Sequence, residues 1–456
     1  MIRIGSGQGF WGDRLDAPLE QVRGGPIDFL MMDYLAEVTM SILQKQRSRD
    51  PSQGYARDFI PLMEELFPDL LAKGVRVVTN AGGVNLEGCR DALLAAARKR
   101  AGKTGDRARI GIVIGDDLMG RLDQLVEEGH ELRHMETGRP LWDVLDRVAS
   151  ANVYLGAKPI VEALDRDATV VVTGRSTDTA LTYAPMIHAF GWAPDQYDRL
   201  AAGVVAGHIN ECGAQASGGN CLIDWENLPD LAGIGYPVIE AYPDGSFVVT
   251  KHDHTGGRIN AAVVKEQLLY EMGDPREYIT PDVVADFTTI RLQEEGENRV
   301  RVTGVKGKPK TDKLKVSIAY QAGWKAVGTL VYTWPDAVKK ARAADRVLRE
   351  RLDRLGLEFA EIRTEFVGWN ATHGHLAGPP PQDLAEVELR VAVRGDDRAA
   401  VERFSREIAP LILSGPPSVT GFAGGRPRVQ EIMAFWPALI DRGEIEANLR
   451  VEVTEA

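Results

Sequence analysis

The sequence predicts an α/β protein of two domains: a Rossmann-like, doubly wound, mostly parallel sheet over residues 1–235, then an α+β domain over 236–456 with a ferredoxin-like βαββαβ portion from about residue 326. Three observations carry this. Short β-branched runs at 2–4, 75–78, 110–114 and 169–172 end in Gly, Asn or Asp and read as buried parallel strands. Helical patterns at 33–44, 59–72, 86–98 and 159–164 lie between them, and that alternation places a site at the carboxyl ends of the strands. Beyond 235 the strands at 246–252, 287–292 and 298–302 follow one another without long helices, which predicts mixed or antiparallel pairing.

From 326 the order becomes strand 327–334, helix 337–355, strands 361–367 and 387–393, helix 398–411 and a closing strand at 449–453. The helix after Pro335-Asp336 carries basic residues along its length and reads as amphipathic and solvent-facing. Gly378-Pro379-Pro380-Pro381 reads as a stiff surface connection.

A chain of 456 residues, 44% hydrophobic and 26% charged, is long enough for two cores. Its formal net charge of -12 argues against nucleic-acid or membrane-surface partners, which need concentrated Lys and Arg. No apolar run reaches membrane-spanning length and the start, MIRIGSGQGF, lacks a signal-peptide pattern, so a cytoplasmic protein is expected. Cys89, Cys212 and Cys221 fit reduced thiols better than a disulfide framework. A homo-oligomer is the ordinary expectation for a cytosolic α/β protein of this size.

The polar turns follow strands. In Gly5-Ser6-Gly7-Gln8-Gly9-Phe10-Trp11-Gly12-Asp13 the glycines let backbone amides approach an anion, although the spacing is not the dinucleotide fingerprint. Asn80, Gly82 and Gly83 form a second such turn, and Asp116-Asp117 in a third reads as a helix cap before a cation site. Arg175, Ser176, Thr177 and Asp178 crowd a fourth strand end, where a guanidinium suits a carboxylate or phosphate. The alternative is a capped helix with an Arg175–Asp178 ion pair.

Residues 207–221 form the densest reactive stretch and read as a loop: His208 and Glu211 suit proton transfer, Asn210 ligand contact, and Cys212 a nucleophile if its thiol is acidified. A lone cysteine is more often a small buried hydrophobe. In Lys251-His252-Asp253-His254-Thr255-Gly256-Gly257 the two imidazoles share a strand face, but no third ligand is evident and no metal site is assigned. His254 is kept as a proton-transfer candidate, with Gly256 and Gly257 as backbone that approaches a ligand. Gly421-Phe422-Ala423-Gly424-Gly425-Arg426-Pro427 reads chiefly as an ordinary loop, and the lysines of 306–313 as a solvated run able to attract a CoA diphosphate.

The Gly5–Asp13, Thr173–Asp178, Gly207–Gly213, His254–Gly257 and Gly421–Pro427 motifs together resemble the acyclic terpene utilisation family, AtuA-like, over nearly the whole chain. The resemblance implies a protein of citronellol- and geraniol-type acid degradation through CoA thioesters, encoded beside a biotin-dependent acyl-CoA carboxylase. The resemblance supplies no reaction; the clustering of Arg175, His208, Glu211 and Cys212 downstream of strand ends leads to the expectation of a hydratase- or lyase-type enzyme acting on an acyl-CoA or carboxylic acid, with no cofactor predicted beyond the substrate's own CoA moiety and the metal left open. The alternatives are an accessory subunit or partner of the carboxylase, and a metal-dependent hydrolase built on His252 and His254.

Overall fold

The computed structural model describes residues 1–101, 107–382, 384–421 and 425–456. The chain divides into two compact units, Met1–Ala319 with Phe435–Ala456, and Tyr320–Ala434.

The first unit is built on a ten-stranded sheet in the order Arg291–Gly296, Arg299–Thr303, Phe247–Lys251, Pro237–Ala241, Ile2–Gln8, Phe29–Met32, Arg76–Thr79, Val170–Thr173, Arg109–Ile114 and Arg450–Glu455. The five strands from Ile2–Gln8 to Arg109–Ile114 are parallel neighbours. Every residue of Phe29–Met32 and Val170–Thr173 is buried, as expected where both faces of a sheet are covered. Side chains alternate between the faces: Leu30, Met32, Val77, Ile112 and Val172 join Phe59, Leu66, Leu93 and Ala97 in one core. Helices Ala180–Phe190 and Tyr197–Asn210 pack on each other, and the former also packs on the sheet.

The sheet as a whole is mixed, because every pairing outside the five central strands is antiparallel. The reason is loop length: Pro237–Ala241 and Phe247–Lys251 are joined by a tight turn closed by Tyr242 and Ser246, too short for the crossover that a parallel pair needs. These hairpins extend the sheet past its first strand, so the expected boundary at 235 does not separate the units and the chain leaves the first unit only at Tyr320. The fold is mixed α/β, and its strand order is the one given above.

In the second unit, Glu361–Val367, Glu386–Gly395, residues 324–333 of the long strand Lys313–Thr333 and the short Val419–Thr420 pair antiparallel in that order. Helix Ala337–Arg354 buries Ala341, Ala344, Leu348 and Leu352 against Leu330, Val391 and Phe404, while its charged face stays outside. The closing strand expected here belongs elsewhere: Arg450–Glu455 pairs with Arg109–Ile114 in the first unit. Phe422, Ala423 and Gly424 of the Gly421 motif lie outside the described residues.

Candidate active site

Three parallel strands end in polar groups that bond to one another. Asp33 follows Phe29–Met32 and accepts hydrogen bonds from Asn80 Nδ2 at 2.7 Å and from the Leu35 amide at 3.1 Å, while Asn80 Oδ1 accepts the Tyr34 amide at 2.7 Å. Arg175, after Val170–Thr173, donates through Nη1 to the Leu35 carbonyl at 2.5 Å and to Asp178 Oδ1 at 2.8 Å. Its guanidinium carbon lies 4.3 Å from the centre of the Tyr154 ring, whose hydroxyl donates to Glu37. The Arg175 amide donates to Asp116 Oδ2 at 2.8 Å, which sets the turn. Arg175 is 2% exposed, and its Nε finds no partner. Burial pushes the Asp33 carboxyl well above the usual range, with repulsion from Asp178 and Glu211 adding to it and Arg175 and Asn80 only partly offsetting it.

The fourth contribution comes from helix Tyr197–Asn210, buried continuously from Leu200 to Asn210. Its last turn holds His208, so the expected loop begins only after it. Small residues make this burial feasible: a Cβ on Gly203 would meet Tyr183 Cβ at 2.7 Å, and one on Gly207 the Thr179 carbonyl oxygen at 2.5 Å. A helix buried on every side has no amphipathic period, which is why its sequence does not announce it.

The His208 imidazole sits edge-on to Tyr278 and Phe287, with ring centres 5.4 and 5.5 Å away. Its Nδ1 approaches Glu211 Oε1 at 3.3 Å without hydrogen-bond geometry, and neither ring nitrogen nor Glu211 Oε2 has a hydrogen-bond partner. Burial disfavours the imidazolium, yet the pull of Glu211 more than offsets it and His208 titrates above its ordinary value. Burial in turn pushes Glu211 up to about 7, with His208 opposing and Asp178 reinforcing the rise. Burial also raises the Cys212 thiol, with Glu211 adding, so the thiolate that a nucleophile needs is disfavoured.

Gly9 joins the first motif to this cluster: a Cβ there would lie 2.9 Å from the Cys212 carbonyl carbon. Its amide is occupied by Asp13 Oδ2 at 2.9 Å, so a carboxylate of the chain itself takes the place foreseen for an anion. Gly5 and Gly7 lie within the first strand, and Gln8 accepts the Asp33 amide through its carbonyl at 2.9 Å. Gly82 is packed against Val172 and the Thr173 carbonyl, and Gly83 (φ 53°) against Gly54. Ser176 is buried beside Thr173, the Thr177 amide bonds to the Leu155 carbonyl, and Asn210 Nδ2 to Thr182 Oγ1 at 3.2 Å. The remaining residues are held elsewhere: Gly256 and Gly257 pack on Asp230 and Ser217, and His254 stacks on His252 at 5.9 Å beside Gly24. His252 Nε2 lies 3.0 Å from the Gln21 carbonyl.

The structure thus gathers Gly9, Arg175, Asp178, His208, Glu211 and Cys212, and adds Asp33, Tyr154 and Tyr278, which sequence reasoning missed. Asp33 had a signal, a carboxylate directly after four apolar residues; the two tyrosines had none. Among the described residues, Glu128, His130 and Glu444 are the group whose ligand atoms lie within 4.8 Å of one another, and it shares no member with this cluster. No described helix is long and apolar enough to cross a membrane. No curated protein and no solved structure matches the chain. The model of the acyclic terpene utilisation family protein AtuA matches residues 2–451, which takes in every residue of the cluster, and the chain belongs to that family.

Proposed function

We propose that the protein is a catabolic enzyme of acyclic terpene or branched-chain acyl-CoA degradation that moves a proton beside a thioester carbonyl, chemistry of the hydratase or lyase kind. The observation that carries this reading is the buried His208–Glu211 pair, whose free ring nitrogen and carboxylate oxygen await a partner. A carboxyl near 7 beside an imidazole raised above its ordinary value keeps one proton shared between them around neutral pH, the condition for general acid–base work. Arg175 supplies the positive charge that an enolate oxygen needs, and its unpaired Nε is the donor left for it. Asp178, with a third of its side chain accessible, marks the side from which solvent reaches the cluster.

The lysines of the basic run are each engaged on the surface, Lys306 with Asp198, Lys308 with Glu277, Lys310 with Glu446 and Lys313 with Asp441. They are therefore poorly placed to hold a CoA diphosphate.

Exchange of the α-proton of branched acyl-CoA esters in deuterated water, followed by mass spectrometry, tests the reading without requiring the full reaction. Exchange with at least one ester is expected, falling about a hundredfold or more in His208→Asn and in Glu211→Gln. Absence of exchange with every ester, or exchange indifferent to both substitutions, would overturn the enzymatic reading in favour of an accessory subunit.

A further inference from the structure

We propose that a cavity at the carboxyl ends of strands Arg76–Thr79 and Arg109–Ile114 binds the phosphate group of a small ligand. The cavity measures about 510 Å³ and is walled by Gly83 and Val84 after the first strand and by Gly115 to Asp117 after the second. Three arginines from separate segments line it: Arg47 from helix Glu37–Arg49, Arg121 from the turn Met119–Arg121, and Arg450 from the start of the last strand.

Glu87, Asp116 and Asp117 share the lining, and Asp117 feels the attraction of Arg47, yet the side-chain hydrogen bonds that Arg47 and Arg121 make here go to carbonyls. Arg47 donates to the Val84 carbonyl and Arg121 to the Glu444 carbonyl at 3.4 Å, neutral acceptors both, while Arg450 is exposed. Of the wall's carboxylates, Asp117 accepts the Met119 amide at 2.9 Å, Asp116 accepts the Arg175 amide and Asn152 Nδ2, and Glu87 is exposed. Guanidinium donors from three segments converge on one cavity, and a phosphate, with three acceptor oxygens and about −1.5 to −2 charge at neutral pH, can engage several of them at once. The position also fits. Strand Arg109–Ile114 leaves one place open beside Arg76–Thr79, Val170–Thr173 later fills it, and such a reversal of strand order opens a crevice outside the carboxyl ends.

Helix Glu37–Arg49 links this cavity to the proton-transfer cluster, with Glu37 bonded to Tyr154 at one end and Arg47 at the other. That separation is about 15 Å at the helical rise, so a single occupant of both places is an elongated phosphate ester. A single occupant of both places rests on the proton-transfer function; the anion site does not.

Inorganic pyrophosphate, titrated calorimetrically into the full-length protein at low salt, is the probe. Saturable binding is expected, weakened about tenfold in Arg450→Gln and in Arg121→Gln. It should be unchanged in Arg133→Gln, whose guanidinium is paired with Glu131 on the surface. Succinate should bind at least tenfold more weakly than pyrophosphate. Arg450 is exposed, so its substitution tests binding without endangering the fold, and equal melting temperatures verify this. Absence of saturable binding, affinity indifferent to Arg450 and Arg121, or succinate binding as tight would each overturn the proposal. Pyrophosphate affinity should survive His208→Asn, so failure of the proton-transfer reading leaves this result standing, and the converse holds.

Discussion

Neighbouring aspartates in one turn behave differently because their surroundings do. Asp117 caps the turn that follows, as its sequence context suggests, whereas Asp116 reaches across to the Arg175 amide and to Asn152 Nδ2 at 3.0 Å. Burial pushes the Asp116 carboxyl from 3.8 up to about 7, with the hydrogen bonds only partly opposing it. A carboxyl raised on folding favours the folded state while both states are protonated. Its contribution is therefore whole below about 3.8, declines as pH climbs, and is gone above about 7. The amount at stake is on the order of 4 kcal/mol. Urea denaturation of wild type and Asp116→Asn between pH 4 and 8 should show the difference in stability between them changing across that window, wild type losing ground as pH rises. A pH-independent difference would refute this account of Asp116.

At the scale of elements, the site depends on how closely two helices approach. Helix Tyr197–Asn210 lies against the start of Ala180–Phe190 because Gly203 and Gly207 carry no side chain there. Gly207→Ala should destabilise the protein by about 1–3 kcal/mol, since the added methyl meets the Thr179 backbone, and this outweighs the better helix propensity of alanine. Gly443→Ala, in helix Arg442–Glu446 with open space around it, should be neutral or stabilising by up to about 1 kcal/mol. Thermal melts of the two variants decide it, and equal effects would show that the close approach is not what limits position 207.

Over the whole molecule, the last seven residues complete a sheet begun far earlier in the chain. Arg450–Glu455 runs antiparallel to Arg109–Ile114, with Arg90 to Glu452 at 3.2 Å, Arg107 to Glu455 at 3.0 Å and Arg166 to the Val451 carbonyl at 2.9 Å fastening it. Ending the chain after Leu449 uncovers the edge of a buried parallel sheet, an invitation to aggregation. The truncated protein should melt roughly 5 °C lower or more and lose solubility, measured by differential scanning fluorimetry and light scattering. Wild-type melting behaviour would mean that the strand only decorates the edge.

Much of this fold is legible locally. The strand expected at 361–367 spans Glu361–Val367, and the helices expected from 59, 86 and 337 begin at Phe59, Leu86 and Ala337, because apolar period and turn residues are properties of neighbouring positions. The site was legible in part: Arg175, Asp178, His208 and Glu211 stood out as reactive types after strands or beside glycines. What no local pattern carries is pairing and environment. Residues 450–455 have the composition of a strand wherever they go, and only packing directs them to the first sheet. Asp33 and Glu211 are ordinary carboxylates until burial strips their solvent and places them near Asp178, so their acidity was decided by the tertiary structure.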